Sequence, residues 1–258
     1  MLKEFKEEMM KTFEMSDLGE LKYILGLEVK NLNDGLFVSQ HKYAANLLNK
    51  FGMENCNSAT TPMNTNEHLQ LHDDSENVCS TKYRRIVGGL LYLTHTKPDL
   101  MFAVSTVSRF MSSPSSHHYG ALKRILRYVK GTLNYGLFYK TIGGLELQGH
   151  SDSDWGGSID DRRSTSGWCF SLRSAVIAWS SKKQTIAALS STEAEYITLT
   201  SAACEAVWLR RLMNDLYEKQ TSASVIYCDS NQPFKLLETQ YIMEEQNILT
   251  PVITSSEI

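Results

Sequence analysis

Residues 145–155 read Leu-Glu-Leu-Gln-Gly-His-Ser-Asp-Ser-Asp-Trp, a strand-like run that leads into two acids two positions apart, and the pattern of the chain changes here. Downstream, Ser166 to Ser171 and Ala175 to Ser180 have the composition of neighbouring antiparallel strands. Tyr196 to Tyr217 is long enough for a helix, and Val225 to Cys228 reads as a short buried strand just ahead of Asp229. Strand, strand, strand, helix, strand is the order of a mixed sheet layered against a helix. The second half is therefore expected to be an α+β or α/β sandwich, joined by a short connection to a mainly helical first part.

Before that boundary the chain reads helix, hairpin, helix. Tyr23 to Val29 is rich in β-formers, Leu36 to Ser39 returns, and Asn33-Asp34-Gly35 between them is a strong turn signal because Asp-Gly tolerates positive φ. His41 to Phe51 is periodic through Tyr43, Leu47 and Leu48, with Gly52 suited to a C-terminal cap. The polar, aperiodic stretch from Glu54 to Ser80 predicts a long loop or linker. Three helices follow: Tyr83 to Leu93; a second from Pro98 with Leu100, Val104, Val107 and Met111 on one stripe; and a third after Pro114 and the capping serines Ser115 and Ser116. In the third, Leu122, Ile125, Leu126 and Val129 make one face, Lys123, Arg124, Arg127 and Lys130 the other, and Gly131 is expected to end it. Such a helix can pack with one side and touch phosphate with the other.

At 258 residues and 42% apolar content the chain can bury two modest cores. No apolar run approaches the roughly 18 residues of a membrane span, and the charged start Lys3-Glu4-Phe5-Lys6-Glu7-Glu8 does not suit a secretory signal, so an intracellular protein is expected. Cys56, Cys79, Cys169, Cys204 and Cys228 are odd in number and contain no CxxC pair, which points to reduced, mostly buried thiols. The net charge of −3 hides strong segregation: residues 82–140 carry 10 Lys or Arg against 1 acid, a block that suits a phosphate-facing surface as well as it suits a solvated helical face.

Three acidic positions stand at the edges of apolar elements: Asp152 with Asp154, Glu193 with Glu195, and Asp229. Asp152 and Asp154 project to one side of an extended chain, whereas Glu193 and Glu195 point about 200° apart in a helix, so only one of the two can face the sheet. Carboxylates that converge without neutralising one another call for a divalent cation, and hard oxygen ligands select Mg²⁺ or Mn²⁺. Two such ions suit phosphodiester hydrolysis. The same residues have plainer roles open to them. Ser190 with Glu193, or Thr192 with Glu195, has capping-box spacing, and Asp152 or Asp229 can start an Asx turn. There is no G-x-S-x-G elbow, P-loop, G-x-G-x-x-G or H-E-x-x-H, and His150-Ser151-Asp152 are mere sequence neighbours.

The ordered blocks Gly149-His150-Ser151-Asp152-Ser153-Asp154-Trp155-Gly156-Gly157, Asp161-Arg162-Arg163-Ser164-Thr165-Ser166-Gly167, Trp179-Ser180-Ser181-Lys182-Lys183-Gln184 and Leu189-Ser190-Ser191-Thr192-Glu193-Ala194-Glu195-Tyr196 resemble the ribonuclease H domain of copia-type LTR-retrotransposon Pol polyproteins. Upstream, Leu25-Gly26-Leu27-Glu28-Val29 resembles the primer-grip region of the family's reverse transcriptase, and Tyr83 to Leu93 through Thr96-Lys97-Pro98-Asp99-Leu100 its thumb and connection segment. The resemblance covers about residues 1–232 and implies a remnant of reverse transcriptase over 1–140, a ribonuclease H-like domain with a five-stranded mixed sheet over 141–232, and a divergent tail over 233–258, truncated at its C-terminus and open to being disordered. It implies Asp152, Glu195 and Asp229 as the catalytic, metal-binding carboxylates, with two Mg²⁺ or Mn²⁺ ions, and makes Asp154 a neighbour. Glu195 is preferred to Glu193 because Tyr-Ile-Thr-Leu follows it as an apolar stretch follows the family's glutamate. The implied partner is an RNA–DNA hybrid in the cytoplasm or nucleus, bound through Arg84, Arg85, Lys123, Arg124, Arg127 and Lys130, and read by shape and 2′-hydroxyl.

Two departures qualify that expectation. The family's Tyr-x-Asp-Asp polymerase hairpin normally precedes a stretch like Leu2 to Glu28, so DNA synthesis by this chain alone is not expected. The family's Asn-Pro…His…Lys-His-Ile run is also missing, since all seven histidines lie at or before His150. A frameshifted, truncated or mis-spliced copy with a weak or inactive ribonuclease H site is the expectation. A non-catalytic nucleic-acid-binding remnant or a domesticated interaction protein is the alternative.

Overall fold

The computed structural model describes residues 2–16, 19, 22–65, 67–141, 145–172 and 174–228. Asp229 and the tail, on which two of the expectations fall, lie outside the described residues.

The first part holds α1 (Leu2–Thr12), β1 (Tyr23–Ile24), β2 (Leu27–Leu32), β3 (Gly35–Ser39), α2 (His41–Lys50), α3 (Ser80–Leu93), a 3₁₀ turn at Pro98–Leu100, α4 (Met101–Ser108), α5 (Ser116–Gly131) and β4 (Gly136–Lys140). The strands form one antiparallel sheet in the order β1-β2-β3-β4. Helix α5 forms as its pattern predicts. Leu122, Ile125, Leu126 and Val129 are fully buried against Tyr83, Ile86 and Leu90 of α3 and Val104 of α4. Its cap is Ser115, whose Oγ accepts from the His118 amide while His118 Nδ1 accepts from the Ser115 amide, a capping box with histidine in the place of glutamate. The helix ends at Gly131, as expected, with Thr132 as its cap.

The hairpin differs from expectation in an instructive way. Residues 23–29 are not one strand but two, folded at Leu25-Gly26, and these two residues carry the positive φ values, 46° and 76°. Both central residues of a type I′ turn need positive φ, so this is the turn that matches strand twist. The expected turn forms as well, Asn33-Asp34 joining β2 to β3 with Leu32 opposite Gly35, although neither Asp34 nor Gly35 takes a positive φ. Gly35 is needed for another reason: a Cβ there would run into the Tyr139 carbonyl of β4. The polar stretch after α2 has no regular structure, as expected, yet it is not a free linker. Met63, Leu69 and Val78 pack on the helical core, and Arg127 Nε donates to the Asn57 carbonyl at 2.8 Å.

The second part is β5 (Leu147–Ser153), β6 (Thr165–Leu172), β7 (Ala175–Lys183), α6 (Ser191–Asp215) and β8 (Val225–Cys228). The described strands make a four-stranded sheet in the order β7-β6-β5-β8, in which β5 and β8 are parallel and the other pairs antiparallel. Helix α6 starts five residues before its predicted start, so Glu193 and Glu195 both fall in its first turns. It lays Leu199, Ala202, Ala206, Leu209 and Met213 on Leu147, Phe170 and Ile226, a second core separate from the first. Gly149 permits this packing because a Cβ there would stand 2.5 Å from the Phe170 ring. A fully buried phenylalanine of this kind contributes about 1.5–3 kcal/mol.

The two parts meet along α4 and β7. Trp179 Nε1 donates to the Thr94 carbonyl at 3.0 Å, Tyr139 OH to the Val176 carbonyl at 3.0 Å, and the Arg109 guanidinium to Thr165 Oγ1 at 3.0 Å. Burial pulls the Arg109 guanidinium below its ordinary range, with Asp154 and Asp161 opposing the shift. No helix among the described residues is long and apolar enough to cross a membrane. The cysteines form no disulfide, and only Cys228 is buried, Cys79 and Cys204 being exposed, so the expectation of mostly buried thiols does not hold.

Candidate functional site

The alternation of β5 decides where its acids point. Leu147, Gly149 and Ser151 are buried under α6, whereas His150 and Asp152 are exposed on the other side of the sheet. Asp152 pairs with Gly167 of β6, and Asp154, just past the strand's end, has an Oδ1 that accepts the Thr165 amide. Asp154 is therefore occupied in fixing the β5–β6 turn. Its own amide closes the pair by donating to the Thr165 carbonyl at 3.3 Å.

Glu193 and Glu195 divide as helix geometry requires. Ser190 caps α6 by accepting the Glu193 amide at 3.1 Å, and Glu193 Oε2 reaches back to the Leu189 amide at 2.6 Å, so this acid closes the helix end. Glu195 turns inward and is 7% exposed. Its Oε1 accepts the Ser153 amide at 3.2 Å, and Cys228 Sγ lies 3.7 Å from its Oε2. The site is built at the end of the parallel β5–β8 pair, where Ser151 stands opposite Cys228. Asp152 follows Ser151 on β5, whereas Asp229, next after Cys228 in the sequence, lies outside the described residues. Carboxyl ends of parallel strands are where open α/β sheets commonly meet ligands.

Of the three expected carboxylates, Asp152 stands on the exposed pleat near the end of β5, and Glu195 of α6 reaches the neighbouring Ser153 amide from the opposite face of the sheet. The third lies outside the described residues. Among the described residues no three His, Cys, Asp or Glu side chains are grouped closely enough to hold a metal ion. The donors present suit a hard cation, being an exposed carboxylate and a buried one. The Ser153 amide and the Cys228 thiol, which pin Glu195, carried no signal of their own in the sequence, although Cys228 adjoins Asp229.

The expected phosphate-facing residues are scattered in use. Arg124 donates to Thr61 Oγ1 at 2.9 Å, Arg127 to the Asn57 carbonyl, and Arg84 Nε to the Met111 carbonyl at 2.8 Å. Lys123 is exposed, with its Nζ 4.8 Å from the centre of the Tyr119 ring, and Arg85 is exposed on α3.

Residues 1–65 match the reverse transcriptase (RNA-dependent DNA polymerase) family. The chain is 43% identical over 218 residues to the retrovirus-related Pol polyprotein from transposon RE1 of Arabidopsis thaliana, covering 84% of this chain and 15% of that protein. It is 36% identical over 249 residues to the Pol polyprotein from transposon TNT 1-94 of Nicotiana tabacum, covering 92% of this chain and 18% of that protein. An uncharacterised mitochondrial protein of Arabidopsis thaliana is 43% identical over 203 residues, which is 76% of this chain and 82% of that protein. The chain belongs to the Pol polyprotein family of copia-type retrotransposons, and it spans less than a fifth of the length of the Pol polyproteins it matches.

Proposed function

We propose that residues 141–232 form a ribonuclease H-like domain that hydrolyses the RNA strand of an RNA–DNA hybrid, with Asp152, Glu195 and Asp229 as the carboxylates that hold two divalent ions, Mg²⁺ or Mn²⁺. One observation carries this reading. A glutamate with 7% exposure is held at the end of the parallel β5–β8 pair, its Oε1 on the amide of Ser153, the residue after exposed Asp152, and its Oε2 3.7 Å from the Cys228 thiol. A carboxylate is costly to bury unless donors or a cation compensate it, and a buried acid with perturbed surroundings in such a place is a functional candidate. When bound, the ions would activate water and stabilise the leaving oxygen. Asp152, being exposed, is open to a phosphodiester, and Glu195 is fixed in orientation by the Ser153 amide. Arg84, Arg85, Lys123, Arg124, Arg127 and Lys130 of the helical remnant would follow the hybrid's backbone through charge, in the cytoplasm or nucleus where such hybrids arise.

The test is cleavage of a 5′-labelled RNA strand annealed to DNA, with Mn²⁺ supplied. Wild-type protein is expected to cut weakly, and Asp152→Asn and Glu195→Gln are expected to fall to background. Undiminished cutting by Asp152→Asn would remove the nuclease reading. Salt-dependent hybrid binding without cutting by any form would replace it with the non-catalytic nucleic-acid-binding alternative.

A further inference from the structure

The register of the second sheet leaves a hollow on the side away from α6. Ser181, Gly167 and Asp152 stand in one row across β7, β6 and β5, and Trp179, Cys169, His150 and Tyr227 stand in the next. Opposite residues in paired strands share a face, so both rows look toward α4. Glycine at the centre of the first row supplies no side chain. A Cβ at Gly167 would meet only the Asp152 and Ser180 carbonyls, at 3.7 and 4.0 Å, so there is open room above it. The result is a cavity of about 750 Å³ between the two parts of the chain, roofed by Met101 and Phe102 of α4.

Its chemistry is selective. The walls are aromatic and flat: His150 and Tyr227 stack with ring centres 5.0 Å apart, and the Trp179 indole is locked in place by its bond to Thr94. The charged groups along its lining are the Asp152 and Asp154 carboxylates, and no Lys or Arg is among its described lining residues. On its floor Ser181 Oγ is buried with no hydrogen-bond partner among the described residues. An apolar pocket with a few convergent polar groups is the usual form of a small-molecule site, and buried polar atoms without partners call for a ligand or an explanation. Asp154 is engaged by the Thr165 amide and has the Arg109 guanidinium beside it, outside the lining, so Asp152 is the anion left facing the hollow; it disfavours phosphate and favours a neutral or positive ring whose N–H groups can face it.

We infer that this junction cavity binds a planar heteroaromatic ring, neutral or cationic, stacked on Trp179 and the His150–Tyr227 pair, with N–H groups toward Asp152. The site shares Asp152 with the proposed hydrolytic site, but ring binding can be read without metal and so independently of cleavage. The probes are adenosine, its 5′-monophosphate and 2-aminobenzimidazole, a small planar cation, titrated by calorimetry into the full chain in the presence of EDTA. Adenosine and the cation are expected to bind, and the monophosphate to bind at least about tenfold more weakly than adenosine. Gly167→Leu fills the hollow and is expected to abolish binding of both. Phe102 is 49% exposed, so Phe102→Ala removes part of the roof without opening a core, and it should weaken binding several-fold even if the first variant misfolds. Equal or tighter binding of the monophosphate, no binding of either uncharged or cationic ring, or unaltered affinity in Phe102→Ala would each overturn the inference. Loss of hybrid cleavage with ring binding intact would count against the nuclease reading alone.

Discussion

Replacing Glu195 in two ways separates its structural from its chemical role. In Glu195→Gln the side chain keeps an oxygen for the Ser153 amide, now 3.2 Å from Oε1, and loses only charge. Removing a buried charge also removes its desolvation cost, so the net change in stability is expected to stay within about 1 kcal/mol. In Glu195→Ala the Ser153 amide, at the end of β5 under α6, loses this acceptor, and a small void opens beside Cys228. An unpaired buried donor costs about 1–3 kcal/mol. Taking about 2 kcal/mol, a cooperative unit of roughly 100 residues should lose about 8–16 °C in Tm. Differential scanning calorimetry measures this directly, alongside hybrid cleavage with Mn²⁺. The expected pattern is a stable, inactive Gln variant and an unstable, inactive Ala variant. If the Ala variant melts with the Gln variant, Glu195 does not hold the strand end. If the Gln variant still cuts, Glu195 is not a metal ligand, whatever its structural value.

Three further outcomes follow from particular residues. Leu25 is 83% exposed and sits at φ 46° in a type I′ turn, so Leu25→Asn should raise stability by about 1 kcal/mol, seen as a higher urea midpoint with unchanged slope; a lower midpoint would refute the turn assignment. Gly149→Ala drives a methyl toward the Phe170 ring and should cost about 1–3 kcal/mol, whereas Gly167→Ala enters open space and should cost less than about 1 kcal/mol; chemical denaturation that ranks the two alike would contradict the packing described. Asp73 is held at about 2, below its ordinary 3.8, chiefly by the Ser115 hydroxyl, so it stabilises the fold above pH 4 and that contribution fades as pH falls toward 2. In Ser115→Ala the acid-unfolding midpoint followed by circular dichroism should therefore move to higher pH, and an unmoved midpoint would show that the Asp73–Ser115 bond does not matter to stability.

What could be read from the sequence was whatever depends on local periodicity. The apolar face of α5 and the five strand and helix segments after residue 145 needed only spacing, and they formed where expected to within a few residues. The turn at Leu25-Gly26 could not be read, because leucine gives no hint of positive φ; the strained conformation is held from a distance, by the Tyr92 hydroxyl donating to the Leu25 carbonyl. The choice of Glu195 over Glu193 came from resemblance, and the physical reason is visible only once Ser190 is seen to cap the helix and Glu193 to turn back to Leu189. The junction cavity is a matter of register between three strands, which no single stretch of sequence contains.

Charge is where counting along the chain is most misleading, and the reason bears on any nucleic-acid role. Between residues 82 and 140 ten cations face one acid, as if a broad basic surface had been laid down. In the folded chain many of these cations serve the protein itself. Lys97 is buried and donates to Thr132, Arg109 bonds across the junction to Thr165, and Arg84, Arg124 and Arg127 each spend a donor on the Met111 carbonyl or on the segment around residues 57–61. A guanidinium has five N–H donors, so the three arginines keep some capacity for phosphate, but Arg124 and Arg127 are held in place by the loop they anchor. The segment after α2 is thereby coupled to the basic face: whatever draws Arg124 and Arg127 toward a phosphate backbone must compete with their bonds to Thr61 and Asn57. The polar stretch without periodicity thus holds two of these cations, Arg124 and Arg127, on the helical core.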